Sequence, residues 1–409
     1  VDDLQSPNRR SAPLPSTTPR RGVVLLVDDQ PIIGEAIRRM LAGEEGLDFH
    51  YCRDPDAAVS IAAETSPTVV LLDLVMPDVD GLEVLRRLRA DDRFQDLPII
   101  VLSTKEEPAI KAEAFACGAN DYLVKLPDRI ELVARIRHHS RGYVALLERN
   151  QAFEDLRVSR EVLANDLASA ARYVRSLLPP PGAIPGIRAD WRFIPSADLG
   201  GDAFGYHSLD DDHVAIYLLD VCGHGVGAAL LSVSALNAVR GGALPNTDFR
   251  DPGAVLAALN RAFPMERHND MFFTMWYGVY DRSHRTIRWA GGGHPPAFLV
   301  PATGGGQDMG ETIPLPSENP LIGAVEGLDF SSRELAVPPD ARLYLFSDGV
   351  FEIERPDGSM WSLEGFRRLL NTPPMGGIAD LDGVVKQITT LAGGGDLADD
   401  LSLVAVEFL

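Results

Sequence analysis

Cysteine is scarce in this 409-residue chain, with only Cys52, Cys117 and Cys222. Three thiols so far apart build neither a disulfide framework nor a metal cluster, and they fit a reducing, cytoplasmic setting. Positive charge is also short: 38 Lys and Arg stand against 59 Asp and Glu, a formal net charge of −21. That balance excludes nucleic acid as an expected partner, because a phosphate backbone needs a basic surface. No apolar run approaches the ~20 residues that span a bilayer, and no signal-peptide core is found, so no membrane partner is expected either. With those classes set aside, 45% apolar and 24% charged residues describe a soluble globular protein. The length predicts two or three domains, each with its own core.

Residues 1–21 are rich in Pro, Ser, Thr and Arg without apolar periodicity, which predicts a disordered leader. From 22 to about 140, apolar runs at 23–27, 48–52, 68–72, 99–102 and 121–124 alternate with helical patterns. That alternation predicts an α/β, doubly wound parallel sheet of five strands, with function at the strands' C-terminal ends. Those ends carry Asp28, Asp29, Asp73, Ser103 and Lys125. Carboxylates gathered at one edge suit a divalent cation and leave Asp73 as a nucleophile; a hydroxyl and an ammonium then stabilise an acyl phosphate. LLVDDQ (25–30), LLDLVMPDVDGLEVL (71–85) and DYLVK (121–125) resemble, in order and spacing, the receiver domain of two-component response regulators over 22–140. The resemblance implies that Asp73 is the phosphoacceptor and that Asp28, Asp29, Asp73 and the Val75 carbonyl surround Mg²⁺. It also implies that Ser103 and Lys125 contact the phosphoryl group, that Tyr122 is the switch aromatic, and that a sensor histidine kinase is the partner. Leu126 stands between Lys125 and Pro127, where the family has Lys-Pro directly.

Beyond Asp128 the helical pattern continues. Phe153, Leu156, Arg160, Leu163, Leu167, Ala170, Val174 and Leu177 recur at alternating steps of three and four, a heptad seam. This predicts a helical coiled-coil linker over 141–180 and a homodimer, with the helix stopped at Pro179–Pro181. Arg160 on the seam costs stability but sets register.

The stretch DLGGDAFGYHSLDDDHVAIYLLDVCGHGVGAAL (198–230) places Asp202 and Asp220 where apolar runs meet glycines. Residues 213–219 read as a buried strand, 207–212 as a hairpin turn and 226–240 as a helix. Further on, the strand 342–346 runs into Ser347-Asp348-Gly349, and Asp399-Asp400 opens the strand 401–408. Four carboxylates, Asp202, Asp220, Asp348 and either Asp399 or Asp400, would make a binuclear site for two Mn²⁺ or Mg²⁺ ions about 4 Å apart. Such a pair hydrolyses a phosphomonoester without an enzyme nucleophile. Cys222 lacks the downstream Arg of a cysteine phosphatase, and no G-x-S-x-G elbow is found.

SLLPP, LGGDAF, DVCGHGVGAAL, AGGGHPP, LFSDGV and ADDLSLV occur in the order found in the SpoIIE group of metal-dependent type-2C (PPM) Ser/Thr protein phosphatases, which residues from about 170 to 409 resemble, with the domain itself expected over 181–409. The resemblance implies an α-β-β-α sandwich. Asp202 would share both metals beside Asp220 and the Val221 carbonyl; Asp348 and Asp399, with Asp400 as the alternative, would complete the site. His224 and His294 would be structural. Gly205 stands where many relatives carry an acidic residue, three positions after the GGD aspartate. GGDAF also echoes the GGDEF signature of diguanylate cyclases, but too few residues precede it for a cyclase domain. An inactive phosphatase fold serving as a binding module is the other alternative. The expected protein is a response regulator whose output is a phosphatase. By resemblance, its substrate is a phosphorylated anti-sigma-factor antagonist with a STAS domain.

Overall fold

The computed structural model describes residues 21–77, 79–301, 311–371, 381–394 and 397–409; residues 1–20 of the expected leader lie outside them. The chain forms two compact units, 1–160 and 161–409.

The first unit alternates strands and helices: β1 (Gly22–Val27), α1 (Pro31–Leu41), β2 (Leu47–Cys52), α2 (Ala58–Thr65), β3 (Val69–Asp73), α3 (Gly81–Ala90), β4 (Ile99–Ser103), α4 (Pro108–Ala116) and β5 (Asp121–Val124). The strands form one sheet in the order β2-β1-β3-β4-β5, and every neighbouring pair is parallel. Strict alternation explains the two layers of helices. Val24, Leu26, Val69, Leu71, Ile100 and Leu102 point to the face covered by α1 and by the start of the next helix, where Ile37, Leu132 and Ile136 are buried. Leu25, Val27, Val70, Leu72, Ile99 and Val101 point the other way, onto α2, α3 and α4.

That next helix, α5, runs 48 residues from Arg129 to Ser176 and links the two units. Its expected seam is exposed at Phe153, Leu156, Arg160 and Leu163. Leu177, expected as the last seam position, lies beyond the helix end and packs on the core of the second unit. The Pro179-Pro180-Pro181 run explains this, since the last turn must unwind before prolines that donate no hydrogen bond.

The second unit is a sandwich of two antiparallel sheets. In chain order its elements are β6 (Gly182–Ile184), β7 (Ile187–Ile194), β8 (Ala203–Ser208), β9 (His213–Val221), α6 (Val226–Arg240), α7 (Pro252–Ala262), β10 (Phe273–Asp281), β11 (Thr286–Gly292), β12 (Ala297–Val300), β13 (Ile313–Leu315), β14 (Arg333–Ala336), β15 (Arg342–Phe346), α8 (Leu363–Leu370), α9 (Leu381–Leu391) and β16 (Leu401–Phe408). One sheet runs β14-β11-β10-β9-β8 and the other β13-β12-β15-β16-β7-β6. The larger core joins residues of both sheets, such as Leu218, Trp276, Leu343 and Val404, to Leu231 and Leu236 of α6 and Leu256 of α7. A second core, with Phe298, Phe346 and Leu403, seats Phe366 of α8 and Ile388 of α9 on the far side. The order of layers is therefore α-β-β-α, as expected.

Candidate functional site

In the first unit, parallel pairing aligns the strand ends. Val27 pairs with Leu72, and Asp73 with Leu102, so Asp28 and Asp73 emerge side by side next to Ser103. Asp28, Asp29 and Asp73 each offer a carboxylate oxygen within 4.8 Å of the others. Lys125 Nζ lies 2.7 Å from Asp28 Oδ2 and 2.7 Å from Asp73 Oδ2. The other oxygen of Asp28 accepts from Gln30 N at 2.9 Å, and Asp73 Oδ1 accepts from Val75 N at 3.0 Å. Asp29 Oδ1 is buried without a hydrogen-bond partner. Burial raises the Asp28 carboxyl, and Lys125 opposes that rise. One ammonium among three carboxylates leaves the edge two charges short of neutrality, so the donor set fits a divalent cation. Ser103 is buried beside them, and the Tyr122 hydroxyl donates to the Lys105 carbonyl at 2.6 Å. The Lys125–Leu126 peptide is cis although Leu126 replaces the family's proline.

In the second unit, β8 and β9 form the expected hairpin, with Ala203 opposite Leu219, which sets Asp202 beside Asp220. Asp202 is buried, and among the described residues neither of its oxygens makes a hydrogen bond in good geometry, although the Ser402 and Ser347 hydroxyls lie near enough to favour its charged form. Burial, reinforced by Asp220 and Asp400, raises its carboxyl well above the usual carboxylate range. Asp220 is pushed up to about 8 by burial and then by Asp348, Asp399 and Asp400. Asp348, at the end of β15, rises to about 6 through burial and through Asp399 and Glu352. These mutual effects put the acidic residues singled out from sequence in this unit within electrostatic reach of one another, with Glu352 in addition, whereas among the described residues only Asp28, Asp29 and Asp73 bring three ligand atoms within 4.8 Å. Glu352 lies four residues after Asp348, and nothing in the sequence pattern marked it.

The adjacent pair Asp399 and Asp400 separates clearly. Asp400 is buried, and its carboxylate accepts from Ser196 N at 2.8 Å, Ser196 Oγ at 3.0 Å and Gly201 N at 2.7 Å. It holds the loop that carries Asp202. The Ser347 hydroxyl donates to the Asp400 carbonyl at 2.9 Å and accepts from Ser402 N at 3.0 Å, tying the Asp348 turn to the same strand. Asp399 is exposed, and its Oδ1 accepts only from Asp400 N, at 2.8 Å.

Two glycines carry the geometry. A Cβ on Gly201 would fall 2.6 Å from the Val221 carbonyl oxygen, so the Val221 carbonyl faces the GGD loop only because residue 201 has no side chain. At Gly205, where relatives are acidic, a Cβ would fall 2.5 Å from the Tyr217 ring and hydroxyl. That buried ring, stacked on Tyr277, takes the space an acidic side chain would need. His224 is exposed in the loop before α6, whereas His294 is buried.

A buried carboxylate facing further carboxyls, with no lysine or arginine paired to it among the described residues, fits hard divalent metal ions.

Comparison with known proteins agrees. The model for Stage II sporulation protein E (SpoIIE) matches residues 210–409, and that for the response regulator receiver domain matches 24–137. Phosphoserine phosphatase RsbP of Bacillus subtilis is 30% identical over 220 residues, 53% of this chain and 51% of that protein. The DNA-binding dual master transcriptional regulator RpaA of Synechocystis is 33% identical over 140 residues, 34% of this chain and 55% of that protein. The chain thus spans about half the length of the curated relatives it matches. Among solved structures, the SiaA-PP2C domain of Pseudomonas aeruginosa aligns with a TM-score of 0.51 at 20% identity, covering 61% of this chain and 99% of that one; it shares the fold. Family matches, sheet topology and the two carboxylate clusters lead to one assignment: the chain joins a response-regulator receiver domain to a PP2C domain of the SpoIIE family.

Proposed function

We propose that this chain is a response regulator in which phosphorylation of Asp73 controls a metal-dependent Ser/Thr protein phosphatase. The receiver would occupy 22–140, the linker 141–180 and the phosphatase 181–409. The observation that carries the reading is Asp202, whose two buried oxygens make no hydrogen bond in good geometry among the described residues and sit among carboxyls of raised pKa. Asp202, Asp220, Asp348 and Asp399, with the Val221 carbonyl, would hold two Mn²⁺ or Mg²⁺ ions. When bound, such a pair acidifies a shared water and neutralises phosphoryl oxygens. Asp400 keeps the Asp202 loop in place, and the chain contributes no covalent nucleophile to this reaction.

In the receiver, Asp28, Asp29, Asp73 and the Val75 carbonyl would hold Mg²⁺. An Asp73 oxygen attacks phosphorus as the bond to a donor's phosphohistidine nitrogen breaks, with a sensor histidine kinase as donor. Lys125, already 2.7 Å from Asp73, and Ser103 would then face the phosphoryl oxygens, and Tyr122 would sense the change. The exposed apolar face of α5 supports pairing of two chains along the linker.

By name RsbP is a phosphoserine phosphatase. For this chain we propose a phosphorylated STAS-type anti-sigma-factor antagonist as substrate. The test measures Mn²⁺-dependent hydrolysis of an aryl phosphate and of candidate antagonists, with and without beryllofluoride on Asp73. Asp202→Ala and Asp348→Ala should abolish turnover while the fold survives. Undiminished turnover in both would sink the binuclear reading, and Mn²⁺ binding without hydrolysis of any phosphoester would favour the binding-module alternative.

A further inference from the structure

His294 is the buried titratable group that this chemistry leaves unused. It follows β11 through Gly293, whose φ of +65° is left-handed backbone that favours glycine. The ring is 4% exposed. Its Nδ1 lies 2.8 Å from Thr274 Oγ1. Thr274 is the residue of β10 directly opposite Asp220 in the β9–β10 register. On the other side, the ring meets the carbonyl of Phe346, the last residue of β15, two positions before Asp348. Nε2 has no hydrogen-bond partner in good geometry, although it is buried.

These contacts fix the ring's chemistry. Burial pushes the imidazole down to about 3, so it is neutral at every working pH and has one donor and one acceptor nitrogen. A carbonyl can only accept. With Nδ1 at Thr274, a proton on Nε2 leaves Nδ1 to accept from the Thr274 hydroxyl and gives the ring a donor for the Phe346 carbonyl. A lysine or arginine there would have no acceptor role to play, and an apolar side chain would take away the partner of the half-buried Thr274 hydroxyl. Only an uncharged group with a donor at one end and an acceptor at the other bridges the two strands. β10 belongs to one sheet and β15 to the other.

We propose that His294 is a positioning residue, a neutral strut between the two sheets that fixes the spacing of Asp220 and Asp348 and so the pairing of the two cations. This rests on the metal-site reading above. It is tested by calorimetric titration of the full-length chain with Mn²⁺ alone. Wild type, His294→Leu, His294→Gln and Thr274→Val are compared, with melting in EDTA as a separate measure of folding. The expected result is that His294→Leu and Thr274→Val bind the weaker Mn²⁺ at least tenfold less tightly and lower kcat with KM little changed. His294→Gln, whose amide keeps a donor and an acceptor, should recover most of the loss. Should His294→Leu fail to fold, Thr274→Val still decides, because it removes only the hydroxyl. Wild type binding three Mn²⁺, one in the receiver and two here, with both His294→Leu and Thr274→Val binding alike would overturn the strut and leave the metal site standing. Wild type binding no more than the receiver's single Mn²⁺ would overturn the metal-site reading itself.

Discussion

Asp399 and Asp400 are neighbours of identical chemistry, and the structure predicts opposite consequences for removing them. Asp400→Ala deletes a buried carboxylate that accepts three short hydrogen bonds, from Ser196 N, Ser196 Oγ and Gly201 N, beside a long one of 3.5 Å from Asp202 N. Hydrogen bonds to a charged group contribute roughly 1.5–3 kcal/mol each, so the gross loss is about 4–9 kcal/mol. Two effects offset part of it: water can reach the freed donors, and Asp202 and Asp220 lose a repelling neighbour. A net loss of about 3–5 kcal/mol remains, a large share of the roughly 5–15 kcal/mol that holds a domain together. Asp399→Asn keeps an oxygen for the single bond from Asp400 N and lies at the surface, so stability should move by no more than about 0.5 kcal/mol. It should instead weaken Mn²⁺ binding at least tenfold. All four tryptophans, Trp191, Trp276, Trp289 and Trp361, belong to the second unit, so urea unfolding in EDTA followed by tryptophan fluorescence reports that unit alone. An Asp400→Ala chain as stable as wild type but blind to Mn²⁺, beside an Asp399→Asn chain that binds normally, would refute the assignment and exchange the two roles.

Three other outcomes follow from the same geometry. In EDTA, groups whose folded pKa is raised stabilise the fold below the ordinary carboxylate range near 4; this contribution is lost as pH climbs through about 6 for Asp348 and about 8 for Asp220. Tryptophan-detected melting temperature should therefore fall from pH 5.5 to 8.5 in EDTA and recover with Mn²⁺, whose affinity rises over the same range; a flat EDTA profile would contradict the buried-carboxylate account. Asp73→Asn should block labelling by acetyl phosphate, since an amide is a poor nucleophile, and persistent stoichiometric labelling measured by intact mass would remove Asp73 from its role. Arg160→Leu should tighten pairing along α5 and partly uncouple phosphatase rate from beryllofluoride, read by light scattering and turnover; a chain monomeric in every condition yet still regulated would place the helix's action within one molecule.

Much of this architecture was legible because apolar runs and carboxylates occupy ends that topology must bring together. β1, β3 and β4 announce themselves as continuous apolar runs, as strands covered on both faces do, and each stops at a functional residue or just before one. Helix α6 begins and ends where its pattern predicted, at Val226 and Arg240. The pair at 399 and 400 could not be resolved from sequence, since adjacent side chains at a strand's entry point to opposite sides and only the backbone donors of residues 196 and 201 identify the inward one. The tyrosine that fills the space beside Gly205 comes from the partner strand of the hairpin, so its meaning lay in a register and not in a motif. Leu177 fitted the heptad by spacing alone, and the prolines after it took it out of the helix. The edge strand β14, Arg333–Ala336, carries too little apolar pattern to stand out from a loop.

The grip of Asp400 on the Asp202 loop also concerns the order in which the protein comes into being. Its bonds to Gly201 and Ser196 join residues 199 and 204 positions apart, among the longest-range hydrogen bonds in the second unit. Closing a chain segment of that length costs roughly 5 kcal/mol of entropy, to be met by the sandwich core that forms around it. β16, which Asp400 precedes, is also the strand between β15 and β7. During synthesis the GGD loop therefore leaves the ribosome long before the residue that shapes it, at the ~5–20 residues per second of translation. Until β16 inserts, Asp202 lacks both its loop geometry and its neighbour Asp400, so on the proposed function the candidate metal-binding aspartates are held apart while the chain is being made.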